Sequence, residues 1–192
     1  MALIRAFIAI ELPAELKKEL TELELQLKKN SPSVVKWVDP NSIHITLKFF
    51  GEISEDSVKE VLLVMEEAVE STSPFQLDIS GIGAFPGMNR IQIVWLGVKG
   101  SLDKIAQLQQ KIDSNAEKLG FPREAKKFTP HITLGRVRDD ASINERQRLG
   151  RILGDTTFAA LHNVNVTAIN LMKSQLTNSG PIYTCIASVK LK

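Results

Sequence analysis

His44-Ile45-Thr46-Leu47 and His131-Ile132-Thr133-Leu134 are one tetrapeptide written twice, and two of the chain's three histidines open it. On a β-strand successive side chains leave opposite faces, so His44 and Thr46 point together while Ile45 and Leu47 point the other way. His131 and Thr133 stand in the same relation to Ile132 and Leu134. Each copy offers an imidazole and a hydroxyl on one face and anchors itself in apolar core through the other. A single His-x-Thr on an amphipathic strand is an ordinary half-buried pattern. Packing gives no reason to place the same polar residues twice, so the pair reads as a site. A duplication that has lost its function is the competing reading.

The surroundings repeat with the motifs. Leu3–Ile10 reads as a strand buried on both faces for much of its length. Pro13 then opens a helix with leucines at 16, 20, 23 and 27. Asn30-Ser31-Pro32-Ser33 breaks it. Val34–Val38 is a short strand, and Ile43–Phe50 carries the first motif. Ser54 caps a second helix running to about Glu70, and Phe75–Ile79 is another strand. Gly81 to Gly87 is glycine-rich but matches neither a P-loop nor a dinucleotide fingerprint, and reads as strand and turn. The order then restarts: strand 91–98, helix 102–119 closed by Gly120, motif strand 128–137, a short helix over 143–153, and strands at 164–173 and 182–191. Ile10 precedes His44 by 34 residues, and Gly97 precedes His131 by 34. This is an internal duplication with a period of about 87 residues, repeats roughly 3–80 and 90–172, and a C-terminal strand 182–191. It is too long and too few for a solenoid. The expected fold is α+β: a single bilobal domain over 1–192, with two antiparallel-type sheets related by a pseudo-twofold, facing a central groove with helices outside.

With 192 residues, 43% of them hydrophobic, the chain can bury a substantial core. Its one cysteine, Cys185, allows no intramolecular disulfide and suits a reducing compartment. No run of 18 apolar residues spans a membrane. The N-terminal apolar run is interrupted by Arg5 and lacks a cleavage site, so it reads as strand rather than signal peptide. A net charge of +2 is too small for bulk nucleic-acid binding. Its distribution is uneven: residues 1–90 hold 9 Lys and Arg against 14 Asp and Glu, residues 91–192 hold 15 against 8. A basic second half suits an anionic ligand, or is a solvated face.

Imidazole titrates near neutrality, so one ring can accept a proton while another donates. Threonine hydroxyls are small, stiff donors for phosphate or carbonyl oxygens. A metal site wants a third or fourth ligand; neither motif has a carboxylate at ligand spacing, and His162 lies in a loop-like His162-Asn163. No nucleophile-elbow pattern supports a Ser-His-acid arrangement. In-line attack on a phosphodiester remains, without metal or other cofactor, one histidine activating water and the other protonating the leaving oxygen. Cationic groups must hold the non-bridging oxygens. Arg136 is the best candidate, with Lys48, Lys126, Lys127, Arg138 and Arg90 behind it.

At these residues the chain resembles the 2H phosphoesterases, named for paired His-x-Thr/Ser-x motifs in a duplicated bilobal fold. Trp37-Val38, the run His44 to Glu52, the run Phe128 to Arg136, Phe85-Pro86 and Val94 to Gly97 resemble the branch of bacterial and archaeal RNA 2′,3′-cyclic phosphodiesterases, historically called 2′–5′ RNA ligases. The resemblance implies metal-independent opening of a terminal 2′,3′-cyclic phosphate to a 2′-phosphomonoester. It makes His44 the proton donor, His131 the proton acceptor, Thr46 and Thr133 holders of phosphate oxygens, Arg136 the phosphate arginine and Phe49 a stacking platform for the terminal base. Phe49 and Arg136 each lie five residues past their histidine, where strict alternation turns them to the opposite face. A bulge or strand end must re-aim them, or Phe49 is core. The expected partner is an RNA end or nucleotide carrying a cyclic phosphate, met by a cytoplasmic monomer away from membranes. A small cyclic nucleotide phosphate as substrate, 2′–5′ RNA joining, and a non-catalytic RNA-end binding module are the alternatives.

Overall fold

The apolar run at the start of the chain forms strand β1 (Leu3–Glu11), in a computed structural model that describes residues 3–158, 162–177 and 180–192. Helix α1 (Ala14–Asn30) follows, with Glu15 in its first turn and Lys28 and Lys29 in its last, both favourable to the helix dipole. Strand β2 (Val35–Trp37) and a 3₁₀ turn at Pro40–Ser42 lead into the first motif strand, β3 (His44–Ser54). Ser54 caps α2 (Glu55–Val69) by accepting from the Ser57 amide at 3.1 Å. Then come β4 (Phe75–Phe85), β5 (Ile93–Gly100), α3 (Leu102–Lys118), the second motif strand β6 (His131–Val137), α4 (Ile143–Asp155), β7 (His162–Val166), β8 (Ala168–Thr177) and β9 (Gly180–Lys190). A reciprocal Ser142–Glu145 capping box starts α4. A shift of 87 residues carries α1 onto 101–117 and α2 onto 142–156, each within one residue of α3 and α4.

The strands form one antiparallel sheet in the order β7-β4-β5-β6-β3-β1-β8-β9, with β2 paired to β6. Its two halves, β6-β5-β4-β7 and β3-β1-β8-β9, each carry one motif at the inner edge. They meet at one residue pair, Ile45 opposite Ile132. Beyond that point β3 leaves β6, and β2 takes its place along residues 135–137. The strands are exchanged between halves: β4, which closes the first repeat, pairs with β5, while β8 and β9 from the end of the chain pair with β1 and each other.

Two local readings change. The strand expected over 164–173 is two strands broken at Thr167, with β7 and β8 in different halves of the sheet. His162, read as loop-like, opens β7, its backbone opposite Ile79. The glycine-rich run is strand then turn, as read: it continues β4 to Phe85 across a register break where Gly81 takes a φ of 77°, a conformation that favours glycine.

β1 divides the interior. Ile4, Ala6, Ile8 and Ile10 join one large core with the buried leucines of α1, the inner faces of the other helices, and Ile45, Leu47, Ile132 and Leu134. The helices therefore cover the sheet face opposite the motif imidazoles. Phe7 and Ala9 point the other way and form a small second cluster with Met172, against which Tyr183 packs.

Candidate active site

The antiparallel pair Ile45–Ile132 fixes how the two tetrapeptides meet. Both isoleucines are fully buried on the helix side. On the groove side the register sets His44 across from Thr133 and Thr46 across from His131. Each imidazole is thus flanked by its own threonine along the strand and faced by the other motif's threonine across the seam.

A bulge at the same place in each motif re-aims the residues beyond. Ala9 opposes Thr46 and Ile8 opposes Lys48, so Leu47 has no partner on β1. Trp95 opposes Thr133 and Val94 opposes Gly135, so Leu134 has none on β5. One extra residue reverses the alternation. Leu47-Lys48 and Leu134-Gly135 are both consecutive buried pairs, and Phe49 and Arg136 emerge on the groove face. Phe49 is 55% exposed and is not core.

The same bulge removes Lys48 from the phosphate candidates. Its ammonium is buried on the helix side, 2.5 Å from Asp113 of α3 and 2.9 Å from the Pro122 carbonyl. The equivalent position is Gly135, where an added Cβ would lie 2.7 Å from Val35 and 3.1 Å from the Trp37 ring. Glycine there lets β2 close against β6.

Both histidines are held alike. His44 Nδ1 lies 2.8 Å from the Ser42 carbonyl and His131 Nδ1 lies 2.7 Å from the Thr129 carbonyl, in each case two residues back. A carbonyl only accepts, so Nδ1 carries the proton and donates. This fixes the tautomer and leaves Nε2 of each ring for proton exchange with a ligand. The surroundings differ. His44 stacks on buried Phe7 (centroids 4.7 Å, 27° between planes) and meets the edge of Tyr183 at 5.2 Å. His131 stands edge-on to Phe85 at 5.1 Å, and Phe85 in turn leans on Trp95.

Burial holds the His44 pKa below its ordinary 6.5; the charge of Lys17 adds to this, while the Ser42 carbonyl and Glu11 oppose it. A histidine whose folded pKa is lowered binds fewer protons folded than unfolded. Its stabilising contribution is present above about pH 6.5 and is lost as pH falls through the folded value. The expected result is that His44→Gln flattens the loss of stability between about pH 7.5 and about pH 5, by at most about 1.4 kcal/mol per pH unit. Urea unfolding at the two ends of that range measures it. An unchanged slope would mean that His44 titrates alike folded and unfolded.

His44, Thr46, Phe49, His131, Thr133 and Arg136 all line one cavity of about 470 Å³. Lys126, Lys127, Arg138 and Arg90 do not line it. Two residues absent from the sequence reading do: Tyr183 on β9 and Lys36 on β2. Tyr183 is the chain's single tyrosine, which was its only signal; its distance from both motifs hid its place. Burial raises its hydroxyl pKa, against the charges of Arg136 and Arg5. Among the described residues no three His, Cys, Asp or Glu side chains gather as a metal site, and no helix is long and apolar enough to cross a membrane.

The 2′-5′ RNA ligase superfamily model matches residues 7–178, from within β1 through β8 and including both motifs. The chain belongs to that superfamily. It bears out the resemblance to 2H phosphoesterases read from the paired motifs. Among similar members, a protein of Methanothermobacter thermautotrophicus named RNA 2′,3′-cyclic phosphodiesterase is 33% identical over 181 residues, 94% of this chain and 95% of that one. One of the same name from Aquifex aeolicus is 31% identical, covering 97% and 96%. Crystal structures of Escherichia coli LigT with 3′-AMP and of a Thermus thermophilus protein share the superfamily fold. Each has a TM-score of 0.79 at 24% identity, over 99% and 98% of both chains respectively.

Proposed function

We propose that this protein is an RNA 2′,3′-cyclic phosphodiesterase that opens a terminal 2′,3′-cyclic phosphate to a 2′-phosphomonoester. The observation that carries the reading is the paired anchoring of His44 and His131: same tautomer, same backbone hold, one cavity. The names of its superfamily relatives support the substrate. In the reaction a water oxygen bonds to phosphorus as the bond from phosphorus to O3′ breaks. The water proton passes to His131 Nε2, and the proton on His44 Nε2 goes to O3′. Thr46, Thr133 and Arg136 hold the non-bridging oxygens, where charge builds.

The two lobes differ in a way that supports this direction. Phe49 and Arg136 occupy equivalent positions, so the aromatic stands on the His44 side and the cation on the His131 side. A base stacked on Phe49 puts its ribose, and thus the leaving O3′, next to His44. Such stacking is worth ~1–3 kcal/mol and tolerates any base.

The test is an RNA oligonucleotide ending in a 2′,3′-cyclic phosphate, incubated with the protein in excess EDTA. Ring opening to a 2′-phosphate at a rate the chelator leaves unchanged is the expected result. Binding with the ring left intact would leave the non-catalytic RNA-end module. Opening that EDTA abolishes would overturn the two-histidine mechanism.

A further inference from the structure

We infer a second phosphate site at Lys36, one that takes the phosphodiester immediately 5′ of the terminal nucleotide of an RNA strand. This rests on the proposed reaction at the histidines only in that the cyclic end occupies the groove between them.

Lys36 and Arg136 stand directly opposite on β2 and β6, and both line the cavity. Side chains directly opposite on antiparallel strands have Cβ atoms about 5 Å apart, and like charges so placed repel. The cavity wall supplies one carboxylate, Asp39. That group accepts from the Asn41 backbone amide at 2.9 Å and its side-chain amide at 3.1 Å, as the cap of the 3₁₀ turn. An anionic ligand relieves the repulsion. A single phosphate between the histidines engages Arg136; the neighbouring ammonium, across from it on β2 where that strand takes β3's place beside β6, calls for a second.

The pseudo-twofold isolates this wall. The position equivalent to Lys36 is Arg123, whose guanidinium is 2.7 Å from Glu117 and which does not line the cavity. On the opposite side the cavity presents Phe49, Ile182 and Tyr183. Bases find their surface on one lobe and the phosphodiester backbone finds cations on the other. A strand bound this way is read by its end and its backbone, with little regard for sequence.

The test is binding, so that it is read independently of turnover. Two probes are compared, a nucleoside 2′-phosphate with one phosphate and a labelled tetranucleotide ending in 2′-phosphate, against wild type, Lys36→Ala and Lys36→Arg. Lys36→Ala is expected to weaken the tetranucleotide about tenfold, the low end for a charge-assisted contact at an exposed site. It is also expected to reduce the slope of log K against log salt by about 0.7, one single-strand phosphate contact. The nucleoside 2′-phosphate keeps its affinity, and Lys36→Arg restores the tetranucleotide. Equal weakening of both probes would place Lys36 on the reacting phosphate, and no weakening of either would make it a solvated lysine; each overturns the inference. Wild type that shows this binding pattern but opens no cyclic end would overturn the phosphodiesterase reading and leave the second phosphate site standing.

Discussion

His44→Ala and His131→Ala are each expected to lower kcat/KM on a cyclic-phosphate RNA end by about 10²–10⁴-fold, the usual contribution of one general acid or base. Neither substitution threatens the fold, because each ring is half-buried at the groove and the apolar anchors of its strand lie on the other face. The double variant falls far short of the product of the two losses, since a donor without an acceptor accomplishes little. Their pH profiles separate the roles. A proton donor must begin protonated, so activity through His44 is lost as pH rises through its pKa. Burial lowers that pKa in the free protein, which moves the alkaline limb of kcat/KM toward lower pH. A bound phosphate anion raises it again, so the alkaline limb of kcat lies higher. His44→Ala is expected to remove the alkaline limb; an alkaline limb unchanged in that variant would take the donor role from His44. Activity within threefold of wild type in either variant would sink the paired-histidine mechanism.

Asp113→Ala destabilises the protein by about 3–5 kcal/mol, the cost of stranding a buried charge. Lys48 is 1% exposed, and its ammonium keeps only the Pro122 carbonyl and the face of Phe50 at 5.9 Å. For a chain of this size the loss lowers Tm by roughly 6–20 °C. Replacing both partners, with Lys48→Met added, recovers much of it, because an apolar chain of similar length fills the space without a charge to compensate. Calorimetry on the three variants measures the effect. Turnover per folded molecule is retained at low temperature, which separates this structural lysine from a phosphate ligand. A Tm within about two degrees of wild type in Asp113→Ala would show that the ammonium finds another partner or water.

Lys48 also marks where sequence reading stops. The motifs, the 87-residue period, the helices and most strands are legible because they depend on local periodicity and on identity between two stretches. The bulges are not. Leu47 carries no glycine or turn signal, only Leu134 has a glycine beside it, and the places of both bulges are set by pairing with β1 and β5. From the sequence a lysine two residues past a histidine and threonine pair looks like a phosphate ligand, and one displaced residue sends it into the core. The reading required a bulge to bring Phe49 and Arg136 round without being able to say where. Lys36 and Tyr183 were missed for another reason: they reach the cavity from strands whose neighbours are decided by the sheet order. The break at Thr167, which splits one apolar run between two halves of the sheet, has no local signature either.

The exchange of strands between halves has a consequence for how the groove behaves. Neither repeat contains a complete half-sheet: β4 leaves the first repeat to pair with β5, and β8 returns from the second to pair with β1. A chain severed between β4 and β5 gives two fragments, neither with a complete half-sheet, so the two halves are expected to melt in one transition by calorimetry. The two halves are joined at the Ile45–Ile132 pair, by the chain crossings between them and by the one core shared behind the sheet. The two histidines therefore depend on that seam, and on the core behind it, for their spacing across the groove.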